Sequence, residues 1–190
     1  MEGTPEWDLP PLGHVVVEGR GSLPFALLHG ESLVAIASWA LSEAGAELLD
    51  FNATWRSVQV LERPLVIHDA LCPLTPVGFL REAADQAIRS GAVVVGVRPV
   101  TDTVKSASEE GVVGETVDRE RLWAVTSPVV LPEAVVAALE DWPGTDDLAA
   151  LVESLRDRFP VTFLEAPPLG RRVEDESAVR LLEAFDEDAG

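Results

Sequence analysis

The chain has 190 residues but only one cysteine, Cys72, and one lysine, Lys105. A single cysteine excludes an internal disulfide and any multi-cysteine zinc site. Lys and Arg together number 14 against 33 Asp and Glu, giving a formal net charge of −19. A surface of that sign repels nucleic acid, and no basic stripe offsets it, so nucleic acid is excluded as a partner. A nucleoside triphosphate is polyanionic as well, and a site for one must gather the scarce arginines locally. Solubility and self-repulsion are the plainest account of the acidity. Apolar runs fall short of the roughly 18 residues a membrane span needs, so no membrane is expected. Met1-Glu2-Gly3-Thr4-Pro5 offers neither a basic nor an apolar leader segment, and a cytoplasmic protein is the expectation.

Several chemistries lack their motifs. There is no G-x-S-x-G, H-E-x-x-H, C-x-x-C or G-x-x-x-x-G-K-[ST]. His14, His29 and His68 have no metal-ligand spacing and read as structural groups. Cys72 lies between Leu71 and Pro73 with no evident base, and reads as a small buried hydrophobe. The five tryptophans are scattered and read as packing or interface groups.

What is present is an ordinary globular balance: 47% apolar and 25% charged residues, suited to one domain with a full core. Residues 1–12 read as a loose lead-in, 13–185 as one domain and 186–190 as a tail. Expected strands cover His14–Val17, Ala46–Phe51, Leu65–Ile67, Ala92–Val97 and Val161–Leu164. Expected helices cover Glu31–Ala44, a segment starting at Thr75-Pro76 and ending at Gly91, Pro132–Leu139, a segment capped by Thr145, and Ser177–Phe185. Asp146 and Asp147 then fall in a first helical turn, and the stretch around Trp55 and Arg56 reads as irregular. Between 101 and 125 two β-like segments flank Glu109-Glu110-Gly111, which suggests a hairpin or extended arm. Strands alternating with helices imply a mostly parallel, three-layer α/β/α sandwich. Ligands of such sheets bind beyond the C-terminal strand ends, where residues 18–25 and 68–72 fall. HVVVEGRGSLPF (14–25) has the look of a strand running into a glycine-rich phosphate loop.

Four segments in order carry a family resemblance. VIHDALCP (66–73) resembles the V-H-D-A-A-R-P motif of 2-C-methyl-D-erythritol 4-phosphate cytidylyltransferases. PVTDTVK (99–105) is similar to their P-V-x-D-T-[IV]-K, TVDRERLWAVTSP (116–128) to their T-V-D-R-x-x-L-W-x-x-Q-T-P, and GTDDLAALVE (144–153) to their T-D-[ED]-A-x-x-[LV]-E. The resemblance implies a nucleotidyltransferase (GT-A-like, Rossmann-like) fold and a homodimer locked by β-arms. It also implies joining of CTP to a sugar phosphate with Mg²⁺ in non-mevalonate isoprenoid biosynthesis. By that resemblance Asp69 and Arg172 are the catalytic candidates, with Asp69 as the Mg²⁺-side carboxylate. Without it, Asp69 reads as a turn former. Thr103, Arg119 and Ser127 match sugar-phosphate contacts, and Gly19, Arg20 and Gly21 are what remains of the nucleotide loop.

The loop departs from the family's A-A-G-x-G-x-R…P-K. Glu18 precedes the first glycine, few residues separate Gly19 from Pro24, and Phe25 stands where a phosphate-binding lysine is usual. Cys72 replaces another arginine, and the chain is trimmed between Phe51 and Pro64. One lost charge-stabilising donor costs about 10²–10³ in rate. The expectation is therefore a catalytically impaired or inactive homologue (a pseudoenzyme) acting as a dimeric binding or regulatory protein. The alternatives are a functioning cytidylyltransferase with a rearranged loop, or a protein that uses a smaller ligand.

Overall fold

Val93-Val94-Val95 and Val129-Val130-Leu131 are all buried, yet they do not face one way. Val93, Val95, Val129 and Leu131 join a core containing Val135, Val136, Leu151 and Leu155, whereas Val94 and Val130 join one containing Leu80, Ala83 and Ala87. Leu65 and Ile67 side with the first core and Val66 with the second. Side chains alternate along a strand, so a sheet whose two faces are both apolar needs helices on both sides. This is the sandwich expected from the sequence.

The computed structural model describes residues 7–99, 105–107, 113–116 and 123–187. In chain order the elements are β1 (Leu12–Val16), β2 (Leu27–Leu28), β3 (Glu31–Ser32), α1 (Leu33–Glu43), β4 (Glu47–Leu48), α2 (Trp55–Val60), β5 (Leu65–Asp69), α3 (Val77–Ser90) and β6 (Val93–Pro99). They continue with β7 (Lys105–Ala107), β8 (Val113–Thr116), β9 (Trp123–Leu131), α4 (Glu133–Ala138), α5 (Leu148–Arg156), β10 (Val161–Glu165) and α6 (Glu176–Glu187). The main sheet runs β10-β6-β9-β5-β1-β4, with β9 antiparallel to both neighbours and the other pairings parallel. β7 and β8 pair antiparallel in a separate ribbon, Lys105 opposite Thr116.

Close packing explains several residue choices. Gly96 lies where β6 meets β9, and a Cβ there would come within 2.6 Å of the Ser127 carbonyl oxygen. Ser32 caps α1 by accepting from Ala35 N, and Gly91 ends α3 in the left-handed region at φ 67°. Among the described residues no helix is long and apolar enough to cross a membrane.

Four local expectations are corrected. The stretch around Trp55 is a short helix, not an irregular segment: Thr54 caps it, and Trp55 and Val58 bury one face. Six residues are too few for periodicity to reveal it. Thr75 is not the cap of α3, because its hydroxyl donates to Cys72 O at 2.8 Å and Pro76 takes the cap position. Thr145 is not the cap of α5 either. Asp147 accepts from Ala149 N and Ala150 N in that role, and Asp146 stays outside the helix. The strand expected over Ala46–Phe51 shrinks to β4, a two-residue edge pairing with β1. Within the expected lead-in, Trp7 is anchored by donating to Asp85 Oδ1 at 2.7 Å, and Leu12 already belongs to β1.

Candidate active site

β1 and β5 pair in parallel with Val16 opposite Asp69, so the loops leaving them lie side by side. The first loop turns at Gly19, whose φ of +73° favours glycine, and Arg20 N donates to Val17 O to close the turn. Gly21, at φ +60°, continues the reversal. Held between two such glycines, the Arg20 side chain folds back into the protein and does not project outward.

Its guanidinium is fully engaged. Nε donates to both oxygens of Asp69 (3.2 and 3.1 Å), and Nη2 lies 3.1 Å from Asp69 Oδ2. Nη2 also donates to Thr145 O at 2.9 Å, and Nη1 donates to the carbonyls of Asp146 and Glu18. The two side chains are 3% and 1% exposed. Arg172, on the chain between β10 and α6, adds a second guanidinium, its Nε 3.2 Å from Asp69 Oδ2. Leu71 N donates to Asp69 Oδ1 at 2.9 Å. One buried carboxylate thus answers two guanidinium charges, and both of its oxygens have donors.

The carboxylate therefore does not fit a divalent cation as it stands. A cation bound to Asp69 would replace these donors and sit beside two positive charges. Asp146 and Asp147 line the same cavity, but Asp147 Oδ1 is used as the α5 cap, and the described residues contain no cluster of three His, Cys, Asp or Glu side chains fit for a metal. The cavity, about 290 Å³, is lined by Arg20, Asp69, Arg172, Asp146 and Asp147, with Val125, Leu148 and Ala149 as apolar wall. Three carboxylates against two guanidiniums make it a poor host for a triphosphate.

The other expected residues separate. Ser127 is fully buried. Its Oγ accepts from Asp69 N at 3.0 Å and is hydrogen-bonded to His68 Nδ1, so it offers nothing to the cavity and instead fixes the end of β5. His68 is also fully buried, and burial pushes its pKa down to about 4 although Asp69 opposes the shift. Cys72 is buried, and burial, then Asp69, push its thiol pKa up, which suppresses the thiolate. Phe25 is exposed, and Glu18 reaches solvent on the same loop. Thr103 and Arg119 lie outside the described residues. Sequence reasoning missed the cavity role of Asp146 and the inward turn of Arg20; the only signal for the turn was a glycine on each side of that arginine.

A mostly parallel sheet flanked by helices, with a turn after its first strand and a charged cavity beyond the β1 and β5 ends, places the protein in the α/β sandwich class with its candidate site at the strand ends. The family profile of 2-C-methyl-D-erythritol 4-phosphate cytidylyltransferase matches residues 51–160. The chain belongs to that family. It is 39% identical over 127 residues to the enzyme of that name from Shouchella clausii, covering 64% of this chain and 53% of that one. It is 36% identical over 155 residues to that from Symbiobacterium thermophilum, covering 77% and 63%. The chain spans about half the length of the first of these relatives. The crystal structure of the Thermus thermophilus protein of the same name superposes with a TM-score of 0.66 at 22% identity, covering 94% of this chain and 100% of that one, which shows a shared fold. The profile match contains Asp69 and Ser127 but neither the 18–25 loop nor Arg172.

Proposed function

We propose that this chain is a diverged family member whose nucleotide wall has become a structural wall. It acts as a dimeric binding or regulatory homologue of the cytidylyltransferases and not as an efficient enzyme. The observation that supports this reading is the Arg20–Asp69–Arg172 cluster: the loop arginine and the strand-end carboxylate neutralise each other inside the protein. Breaking such a buried pair costs about 3–5 kcal/mol, so an entering nucleotide would have to offset that loss before gaining contacts of its own. Glu18 on the same loop adds negative charge, and Phe25 brings no cation to a phosphate. Arg172, with Thr103 and Arg119 by family resemblance, retains the capacity to hold a sugar phosphate, and the protein works in the cytoplasm as an arm-linked homodimer.

The test is pyrophosphate release from CTP, Mg²⁺ and methylerythritol phosphate, with calorimetry for CTP alone. The proposal expects no turnover above background and no heat with CTP. A monomeric mass by light scattering at micromolar concentration counts against the dimer. One observation favours a working cytidylyltransferase instead: Asp69 and Arg172 still meet at the edge of a cavity. In that reading CTP displaces Arg20 from Asp69, and clear pyrophosphate release selects it.

A further inference from the structure

Arg171 and Arg172 are neighbours in sequence but go to different places. The chain is extended there, with Arg171 at the polyproline-II values φ −69° and ψ 146°, and at three residues per turn neighbouring side chains point in directions roughly 120° apart. Arg172 reaches Asp69. Arg171 lies instead over the Phe185 ring of α6, 5.5 Å from its centroid. There it shares a cavity of about 310 Å³ with Arg98, Pro168, Leu169, Leu182 and Phe185.

Arg98 is anchored at this cavity by donating from Nη1 to Ala166 O at 3.0 Å, and Ala166 N donates in turn to Val97 O. Its remaining N–H groups have no partner among the described residues. Among the residues whose side chains are described, which exclude Asp186 and Glu187, no carboxylate stands within 4.0 Å of Arg98 or Arg171. What sets this cavity apart is that two guanidiniums, Arg98 and Arg171, line the same small space together with an apolar wall. Arg20 shows the contrast, since its guanidinium is satisfied internally.

The lining dictates the ligand's chemistry. Two guanidinium forks match the oxygens of a phosphate. Leu169, Leu182 and Phe185 match a hydrocarbon chain. The net charge of the protein disfavours a polyanion, so a single phosphate suits it better than a triphosphate. The volume lies near the lower end of small-molecule sites, roughly 300–1,000 Å³.

We propose that the cavity between the end of β6, the β10–α6 connection and α6 binds a phosphomonoester carrying a short aliphatic tail. This site is separate from the Asp69 cavity, and its occupancy does not depend on whether the chain turns over CTP.

Calorimetry of the full chain with hexyl phosphate tests it, with inorganic phosphate, 1-hexanol and hexanoate as comparisons. Hexyl phosphate should bind at least about tenfold more tightly than inorganic phosphate or hexanol, since it alone satisfies both walls. Arg98→Met and Arg171→Met should each weaken it by about tenfold, and Arg89→Met, on the exposed end of α3, should not. Thermal midpoints establish that each variant is folded. Arg171→Met carries the test if Arg98→Met fails to fold, because Arg171 makes no hydrogen bond to the described residues. Equal binding of hexyl phosphate and inorganic phosphate overturns the proposal, as does unchanged binding by folded Arg171→Met. Hexanoate binding as tightly as hexyl phosphate overturns the assignment to phosphate.

Discussion

Two neighbouring loops leave the sheet at the same level, one after β1 and one after β5, and they differ in how far they keep the family pattern. Residues 66–73 keep most of it, and His68, Asp69 and Cys72 are all buried. Residues 18–25 keep two glycines but lose the rest, and Gly19, Gly21 and Phe25 are exposed. Between the two glycines stands Arg20, an exposed-loop residue by sequence that is buried by its bonds to the other loop. The difference teaches that a strand-end carboxylate can stay buried beside an altered loop only if something else neutralises it. Here Arg20 and Arg172 do so.

The strongest way to break this comparison is to remove the carboxylate. Asp69→Ala leaves the Arg20 guanidinium buried without a counter-charge and removes the acceptor for Leu71 N beyond the β5 end. Unfolding in urea should show a loss of about 3–5 kcal/mol. A loss below about 1 kcal/mol would mean that water or a rearranged loop already satisfies Arg20. Arg20→Met should cost less, about 2–3 kcal/mol, because Asp69 keeps Arg172 and Leu71 N.

His68 sharpens the comparison from the β5 side. Its folded pKa is pushed down to about 4 from 6.5 by burial. Above pH 6.5 both folded and unfolded forms are neutral and the residue has no pH effect. As pH falls from 6.5 towards 4 the unfolded state takes up a proton that the folded state refuses, so stability declines across that window and levels off below it. The full effect is on the order of 3 kcal/mol. Carboxylates titrate near the same range, so the check is a difference: His68→Gln should flatten the stability profile between pH 6.5 and 4 relative to the parent.

Much of this was legible in the sequence, for identifiable reasons. The apolar run over Ala92–Val97 announced a buried strand, and Gly91 announced the end of α3, whereas the central strand β9 over Trp123–Leu131 was not among the expected strands. The HDALCP stretch located Asp69 before any coordinates did. What the sequence hid were contacts between distant segments. Nothing local to Arg20 says that the carbonyls of Thr145 and Asp146 lie within reach, since they are 125 and 126 residues away. Ser127 reads as a hydroxyl donor for a ligand until the antiparallel entry of β9 buries it beside His68 and Asp69. The helix caps were misplaced by a residue or two because Thr75 and Asp147 can each make turn bonds of more than one kind.

Arg172→Met probes the open edge of the cluster. The Arg172 side chain is 38% exposed, so solvent screens its bond to Asp69, and the stability loss should stay near about 1 kcal/mol or below. The asymmetry with Arg20→Met is the informative quantity: equal losses would make Arg172 as structural as Arg20.

Glu18→Gln should have the smallest effect. The side chain reaches solvent, and its one recorded bond is a weak one from Val17 N at 3.3 Å. Surface changes of this kind fall within about 0.5 kcal/mol. If Glu18 alone kept nucleotides out, the variant would bind CTP measurably by calorimetry. If the Arg20–Asp69 pair is the barrier, removing one solvent-facing charge leaves that pair intact, and CTP affinity stays undetectable. The double variant Glu18→Gln/Arg20→Met then separates the two causes, since only it relieves both the charge and the internal pairing of the loop.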